Sequence, residues 1–162
     1  MALDGIAVSN IIYELNKSLI GGRIDKIYQP QKDEIVMSVR NNGTSKLLLS
    51  ANPSHPRLHI TTIQRENPIT APMFCMVLRK HIAGSRILSI SQYGLERIAS
   101  IKVEAMNEMG DMVERNLIIE IMGKHSNIIL TDENGKILDS IKHITHETSS
   151  VREVLPGKTY SF

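Results

Sequence analysis

Apolar residues recur at every fourth position near the start of the chain, and this period predicts an amphipathic helix. The positions that share it are Leu3, Ala7, Ile11, Leu15 and Leu19. Asp4 can accept a backbone hydrogen bond at the helix start, and Gly21 and Gly22 readily adopt the left-handed conformation that ends a helix. We therefore expect a first helix between Asp4 and Gly21.

After this helix, the pattern changes to short runs rich in Ile, Val, Leu and Tyr. Turn-forming residues separate the runs at 30–31 and 41–43, where the sequences Pro-Gln and Asn-Asn-Gly occur. The runs cover residues 23–29, 34–40 and 46–51, and residues 57–61 are a candidate fourth strand. This arrangement predicts an antiparallel meander.

A second helix is predicted where the apolar spacing returns to three or four residues. The positions with this spacing are Met73, Met76, Val77 and Lys80. Thr70 is the candidate cap, Pro72 fits the first turn and Gly84 can end the helix. We interpret Met73, Cys75 and Met76 as core packing on this helix, not as soft metal ligands.

The remainder of the chain reads as strands. They are expected at residues 86–92, 97–105, 116–122 and 127–132, with a tight turn at 133–135. In the second of these strands, an alternating set of apolar residues lies on one face. The set is Ala99, Ile101, Val103 and Ala105. Mainly antiparallel sheets with flanking helices make the expected fold class α+β.

The composition limits the classes of protein to consider. A chain of 162 residues that is 41% hydrophobic is long enough for one domain with a sizeable core. The formal net charge is only +2, so any basic surface for nucleic acid must be local. A single cysteine excludes an internal disulfide, the N-terminus lacks the order of a signal peptide, and no apolar run approaches roughly 20 residues. We expect a cytoplasmic protein that does not enter the membrane.

Histidine spacing offers little support for a metal site. His55 and His59 are four residues apart, and His143 and His146 are three apart. Neither pair is accompanied by a cysteine pair or a cluster of carboxylates, whereas zinc sites keep closely defined ligand spacings. We expect no metal and no cofactor.

A polar pentapeptide, Gly-Lys-His-Ser-Asn at residues 123–127, interrupts two apolar runs. Ser126 beside His125 does not make a nucleophile and base, because adjacent residues on a strand point to opposite faces. The pentapeptide is either a solvated hairpin tip or a binding loop. Gly123 is expected to have a positive φ, because it must turn the chain between two strands.

Glu120 is the notable polar residue of the strand that precedes this loop. It shares a strand face with Ile118 and Met122, so the sequence predicts that it is partly buried. A buried carboxylate without a partner is costly. Arg97 is the candidate partner.

Six blocks of the sequence resemble, in order and along essentially the whole chain, the N-terminal domain of the NFACT family, also called the fibronectin-binding protein A type. The blocks read MALDGI, GGRIDKIYQPQKDEI, LLLSANPSHPRLHIT, NPITAPMFCMVLRKHIAG, EIMGKHSNIIL and VLPGKTY. The resemblance implies a role in ribosome-associated quality control. In bacteria this means binding large ribosomal subunits blocked by peptidyl-tRNA and recruiting alanyl-tRNA for C-terminal alanine tailing. It also implies that residues 1–162 form one domain, the N-terminal part of a longer multidomain protein.

The same resemblance implies which residues engage tRNA. The family uses an Asp-Arg pair, which reads Glu96-Arg97 here, and a Glu-Ile-Met triplet, which is intact. The loop after the triplet adds a cation and several hydrogen-bond donors for phosphate, 2′-OH or base edges. The expected tRNA-binding residues are Glu96, Arg97, Glu120, Ile121, Met122, Lys124, His125, Ser126 and Asn127.

The resemblance also implies a fold similar to the N-terminal domain of formamidopyrimidine-DNA glycosylases. Those enzymes start from an N-terminal proline amine followed by a glutamate, whereas this chain has Ala2 and Leu3. Without that nucleophile, lyase chemistry has no starting point, so we expect no enzyme activity. Two alternatives stay open: a fibronectin- or fibrinogen-binding surface adhesin, and a glycosylase-like nucleic-acid-binding domain without catalysis. The sequence does not indicate the oligomeric state or which tRNA is selected.

Overall fold

The computed structural model describes residues 4–94, 96–145 and 152–161. These residues form two helices, α1 (Gly5–Leu19) and α2 (Met73–Ile82), and nine strands. The strands are β1 (Arg23–Gln31), β2 (Glu34–Arg40), β3 (Thr44–Ser50), β4 (Arg57–Thr61), β5 (Arg86–Gln92), β6 (Ile98–Met106), β7 (Met112–Glu120), β8 (Asn127–Asp132) and β9 (Ile137–Ser140). The α+β class with mainly antiparallel strands is confirmed.

The strands lie in one sheet with the order β4-β3-β2-β1-β5-β6-β7-β8-β9. Each pairing in this sheet is antiparallel, so the predicted meander is confirmed and residues 57–61 are its edge strand. The sheet curls until β3 contacts β8. The inner faces of strands from both halves therefore enclose one main core, together with the buried faces of α1 and α2.

Helix α1 begins as predicted, because the Asp4 carboxylate accepts a hydrogen bond from the Ala7 backbone nitrogen at 2.7 Å. In its buried stripe, the residues that follow Ala7 and Ile11 take the place of these two predicted positions. The buried residues are Val8, Ile12, Leu15 and Leu19. Ile11 is half-buried against the core, and Leu3 lies outside the described residues. Gly21 has a φ of 83° just after the helix, as expected.

Helix α2 corrects two predictions. Its N-cap is Pro72 instead of Thr70, and no side chain of the described residues caps it. The methionines predicted to pack in the core are exposed, at 71% for Met73 and 49% for Met76. Cys75 is buried as predicted, and it shares the buried face with Phe74, Leu78 and Ile82. Spacing alone could not choose between the two faces, because apolar residues occupy both of them.

A second, smaller apolar cluster lies on the outer face of β6–β9. It contains Ile98, Ile118, Ile129, Ile137 and Val154. The segment 152–161 covers this face: Val154 exchanges two backbone hydrogen bonds with Ile144, and the Ile137 nitrogen donates to the Lys158 carbonyl at 2.8 Å. We call residues 152–161 the C-terminal strap. It places buried polar groups next to the predicted site.

Candidate functional site

Strands β6 and β7 bring the two predicted motifs together at one end of the sheet. Ile98 lies opposite Glu120, and the Ile121 backbone nitrogen donates to the Arg97 carbonyl at 2.8 Å. The pair Glu96-Arg97 and the triplet that begins at Glu120 are therefore neighbours. The sequence separates them by more than twenty positions, and antiparallel pairing removes that separation.

Glu120 is completely buried, with 0% of its surface exposed, so the expectation of burial is confirmed. The predicted partner is wrong. One carboxylate oxygen accepts a hydrogen bond from Arg152 Nη2 at 2.5 Å, and the other accepts one from the Tyr160 hydroxyl at 2.7 Å. Both partners belong to the C-terminal strap. Glu120 therefore fastens the strap to the outer face of the sheet.

Charge and burial reinforce this cluster. Burial together with the Glu120 carboxylate raises the pKa of Tyr160, so its hydroxyl stays a donor. Although burial lowers the pKa of Arg152, the hydrogen bond and charge of Glu120 outweigh it, and the net pKa is raised. Arg152 also donates to the Ser161 carbonyl. The guanidinium is thus held by the strap and by the sheet at the same time.

The loop after Glu120 is a short, closed turn. Gly123 has a φ of 60°, which confirms the predicted positive φ, and it begins a single 3-10 turn, Gly123–His125. The Met122 backbone nitrogen donates to Ser126 Oγ at 2.8 Å, which fastens the two ends of the turn. Ser126 is 0% exposed. In this conformation its hydroxyl holds the loop and does not face solvent.

Asn127 has a comparable structural position. Its Oδ1 accepts from the Lys142 backbone nitrogen at 3.0 Å, and its Nδ2 donates to the Lys142 carbonyl at 3.0 Å. Its Oδ1 also accepts from the Ile128 nitrogen. Asn127 is 2% exposed. Its amide is used within the protein and joins the start of β8 to the residues that follow β9.

The surface that remains at this end of the sheet is smaller than the predicted site. Glu96, Lys124 and His125 are exposed, and Arg97 and Met122 are half-buried. Among the described residues, the Arg97 guanidinium has no hydrogen bond or ion pair. Ile121 is 0% exposed and belongs to the main core. We call Arg97, Lys124 and His125 the strand-end surface.

Sequence reasoning missed Lys142, a cation that the fold carries towards the same end. Asn127 holds the backbone of Lys142, whose Nζ donates to the Ala51 carbonyl at 2.7 Å. Burial lowers the pKa of Lys142, and Asp33 partly offsets this effect. The exposed neighbour His143 has its Nε2 2.7 Å from Asp139 Oδ1. No spacing signal marks Lys142, because only the Asn127 contacts bring it to the loop.

Within residues 4–94, 96–145 and 152–161, no three His, Cys, Asp or Glu side chains form a group that could hold a metal ion. In that part of the chain, no helix has the length and apolar character needed to cross a membrane.

Replacing Gly123 with Val should destabilise the domain by about 1–3 kcal/mol, because a β-branched residue is strained at positive φ. A Cβ added here would meet no atom within 4 Å, so backbone strain is the expected cause and steric contact is not. Gly123→Asn is the matched control and should cost less, since Asn tolerates this region, as Asn42 does at a φ of 56°. Urea denaturation followed by circular dichroism measures both. If Gly123→Val has the same urea midpoint as the parent chain, the predicted backbone strain is absent.

Comparison with known proteins gives consistent matches. The family profile described as "NFACT N-terminal and middle domains" matches residues 4–162. The protein named "Rqc2 homolog RqcH" of Bacillus subtilis is 49% identical over 162 residues, which is 99% of this chain and 28% of that protein. The human "Ribosome quality control complex subunit NEMF" is 29% identical over 143 residues, which is 88% of this chain and 12% of that protein. The chain thus spans less than a third of these relatives.

Solved structures show the same architecture. The N-terminal domain of fibronectin-binding protein PavA from Streptococcus pneumoniae has a TM-score of 0.94 and 46% identity, over 98% of this chain and 61% of that one. The N-terminal part of the fibronectin/fibrinogen-binding protein of Streptococcus suis has a TM-score of 0.95 and 42% identity, over 99% of this chain and 61% of that one. With the family profile covering nearly every residue, the chain belongs to the NFACT family and comprises its N-terminal domain region.

Proposed function

We propose that this chain is the tRNA-engaging domain of a ribosome-associated quality control factor. In that role it contributes to binding obstructed large ribosomal subunits and to recruiting alanyl-tRNA for C-terminal tailing. Family membership supports the general role, since several relatives carry names from ribosome quality control. The tRNA assignment is supported by the chemistry of the strand-end surface. We propose a binding role without catalysis.

The observation that carries the proposal is the Arg97 guanidinium, which pairs with no group in the described part of the chain and lies at the same end of the sheet as the exposed Lys124 and His125. An arginine fork can bind a phosphate or a guanine edge through two parallel hydrogen bonds, and lysine meets phosphate as a point charge. With two Phe, four Tyr and no Trp in the chain, recognition through shape and backbone is favoured over base stacking.

The buried members of the predicted site act indirectly in this proposal. Glu120 holds the strap, Ser126 closes the loop and Asn127 anchors the start of β8. They position the exposed residues instead of touching RNA. Met122 is half-buried and begins the loop that carries Lys124.

Arg97→Ala tests the proposal. Loss of a charge-assisted contact, worth about 1.5–3 kcal/mol, should weaken tRNA binding at least tenfold. The slope of log affinity against log salt should fall by just under one unit. Arg97→Lys should rescue only part of the binding, because a point charge does not reproduce a planar fork. Glu96→Asp, which restores the family residue, should leave binding unchanged or strengthen it. Fluorescence anisotropy with labelled tRNA across a salt series measures all three.

Lys80→Ala is the control, because it removes one exposed cation distant from the strand-end surface and should bind tRNA like the parent. Thermal melts of every variant separate binding from folding. If Arg97→Ala binds tRNA like Lys80→Ala, or loses binding only by unfolding, Arg97 is a structural residue and the proposed surface is wrong.

A second candidate function is adhesion, because the similar solved structures are of proteins named for binding fibronectin or fibrinogen. Saturable binding of the chain to immobilised fibronectin, retained by Arg97→Ala, would favour it. The likeness to the N-terminal domain of formamidopyrimidine-DNA glycosylases, and a nucleic-acid-binding role of that kind, stay predictions.

A further inference from the structure

The outer face of β1–β4 carries more positive than negative charge, although the formal net charge of the whole chain is only +2. Six cations and three carboxylates lie on this face and on residues 63–67, the segment that crosses it, and we call this surface the basic face. Its charged residues are Arg23, Lys26, Arg40, Lys46, Arg57, Arg65, Asp25, Glu34 and Glu66. The chain has 19 cations and 17 carboxylates, so the other 13 cations and 14 carboxylates leave the rest of the molecule net negative.

Strand register distributes these cations across the face. Arg23 on β1 lies opposite Arg40 on β2. Lys46 on β3 lies opposite Ser38, one row away from Arg40. Arg57 on β4 marks the far end of the face, where it pairs with the last residue of β3. Alternate residues on a strand are about 6.7 Å apart, so the cations form separated rows instead of one cluster.

Two of the three carboxylates of the basic face, Asp25 and Glu34, are paired with arginines. Asp25 Oδ2 lies 3.8 Å from Arg40 Nε. Glu34 Oε1 lies 3.2 Å from Arg65 Nε, and Arg65 Nη2 donates to the other oxygen at 3.3 Å. The lysines of the face are therefore not neutralised by these carboxylates.

A groove of about 300 Å³ runs between these strands and the crossing segment. Its walls include Lys26, Lys46 and Arg65, with the polar side chains of Ser38 and Asn67. Among the described residues, neither lysine ammonium has an ion pair or hydrogen bond. The groove therefore offers cations together with hydroxyl and amide donors, which is the chemistry that binds phosphate oxygens and 2′-hydroxyls.

We propose that the basic face is a second RNA-binding surface, which takes the phosphates of folded RNA. The choice of RNA as the anion rests on the proposed function. Since the inner faces of both sheet halves enclose the main core, the basic face and the outer face of β6–β9 point away from each other. The strand-end surface and the basic face have no residue in common, so the domain can offer each of them to a separate RNA element.

Neutralising the two lysines of the groove tests this inference. Lys26→Gln with Lys46→Gln should lower the salt slope of binding to a labelled RNA duplex by about 1.4–1.8, for two phosphate contacts. Affinity at 0.1 M salt should fall at least about tenfold. Lys17→Gln with Lys80→Gln removes the same charge from exposed lysines elsewhere and should leave slope and affinity unchanged. Lys26→Arg with Lys46→Arg, which keeps the charge, should retain binding.

Each outcome decides the matter. Equal slopes for the groove pair and the control pair would overturn the proposal. If the groove pair loses binding to vesicles containing anionic lipid while duplex binding is unchanged, the face belongs to a membrane and the RNA assignment is overturned. Repeating the series in the Arg97→Ala chain separates the two surfaces. If Lys26→Gln with Lys46→Gln still weakens duplex binding in the Arg97→Ala chain, the basic face is supported whether or not Arg97 engages tRNA. If Arg97→Ala weakens RNA binding and the two lysine changes do not, only this inference is overturned.

Discussion

Replacing Glu120 with Ala is expected to destabilise the domain by about 3–5 kcal/mol, the penalty for leaving one member of a buried ion pair without its partner. Arg152 would keep its charge in a site where only 22% of its side chain is exposed. The Tyr160 hydroxyl would lose its acceptor. Because both partners belong to the C-terminal strap, the outer cluster of β6–β9 should open with it. Urea denaturation followed by circular dichroism measures the loss.

Matched variants separate charge from shape in this prediction. Glu120→Gln keeps the volume and an acceptor for Tyr160 and should cost less than Ala. Arg152→Ala combined with Glu120→Ala should cost less than the sum of the single changes, since no charge is then left unpaired. The exposed Glu96→Ala should stay within about 0.5 kcal/mol of the parent. If Glu120→Ala matches Glu96→Ala, the carboxylate does not anchor the strap.

This prediction affects how variants of the Glu-Ile-Met triplet are interpreted. Ile121 is in the main core, and Glu120 is fully buried in the structure. A loss of RNA binding after changing either residue would follow from a displaced strap or loop even if neither touches RNA. Arg97 and Lys124 are better probes of contact, because their side chains reach the surface without supporting the core.

The fold was predictable where a single period dominates. The first helix has a capping aspartate and a glycine stop, and within the strand Ile98–Met106 the predicted set Ala99, Ile101, Val103 and Ala105 is buried on one face, so local pattern and tertiary burial agree there. Helix α2 shows the limit. Met73 and Met76 share a helical spacing but are exposed. The buried face of the helix is the one that carries Phe74 and Leu78. Which apolar face is buried depends on the strands that pack against the helix. The sequence of the helix alone does not specify those strands.

The candidate site was predictable only in part, for a related reason. The burial of Glu120 follows from strand alternation, which is local. Its partners, Arg152 and Tyr160, come from a segment more than thirty residues later that folds back over the sheet. Ser126 and Asn127 read as surface donors because loops are usually polar and exposed. In the structure, their polar atoms instead satisfy backbone groups that the turn leaves without partners.

Asn127→Ala should destabilise the domain by about 2–4 kcal/mol, because it removes the side-chain oxygen that accepts from the Lys142 and Ile128 backbone nitrogens and the amide that donates to the Lys142 carbonyl. The side chain exchanges two hydrogen bonds with the backbone of Lys142. Lys142 in turn donates through Nζ to the Ala51 carbonyl at the end of β3. Asn127 therefore connects the loop to both halves of the curled sheet, and its removal should loosen that connection.

Asn134→Ala is the matched control, because Asn134 is an exposed asparagine in the next turn, and its loss should change stability by less than about 0.5 kcal/mol. Lys124→Ala, in the same loop as Asn127, should likewise leave the urea midpoint unchanged while weakening tRNA binding. The two loop variants should thus separate, one losing stability and the other losing affinity. If Asn127→Ala keeps the parental midpoint but binds tRNA less well, its amide contacts RNA directly, and the structural role assigned to it here is wrong.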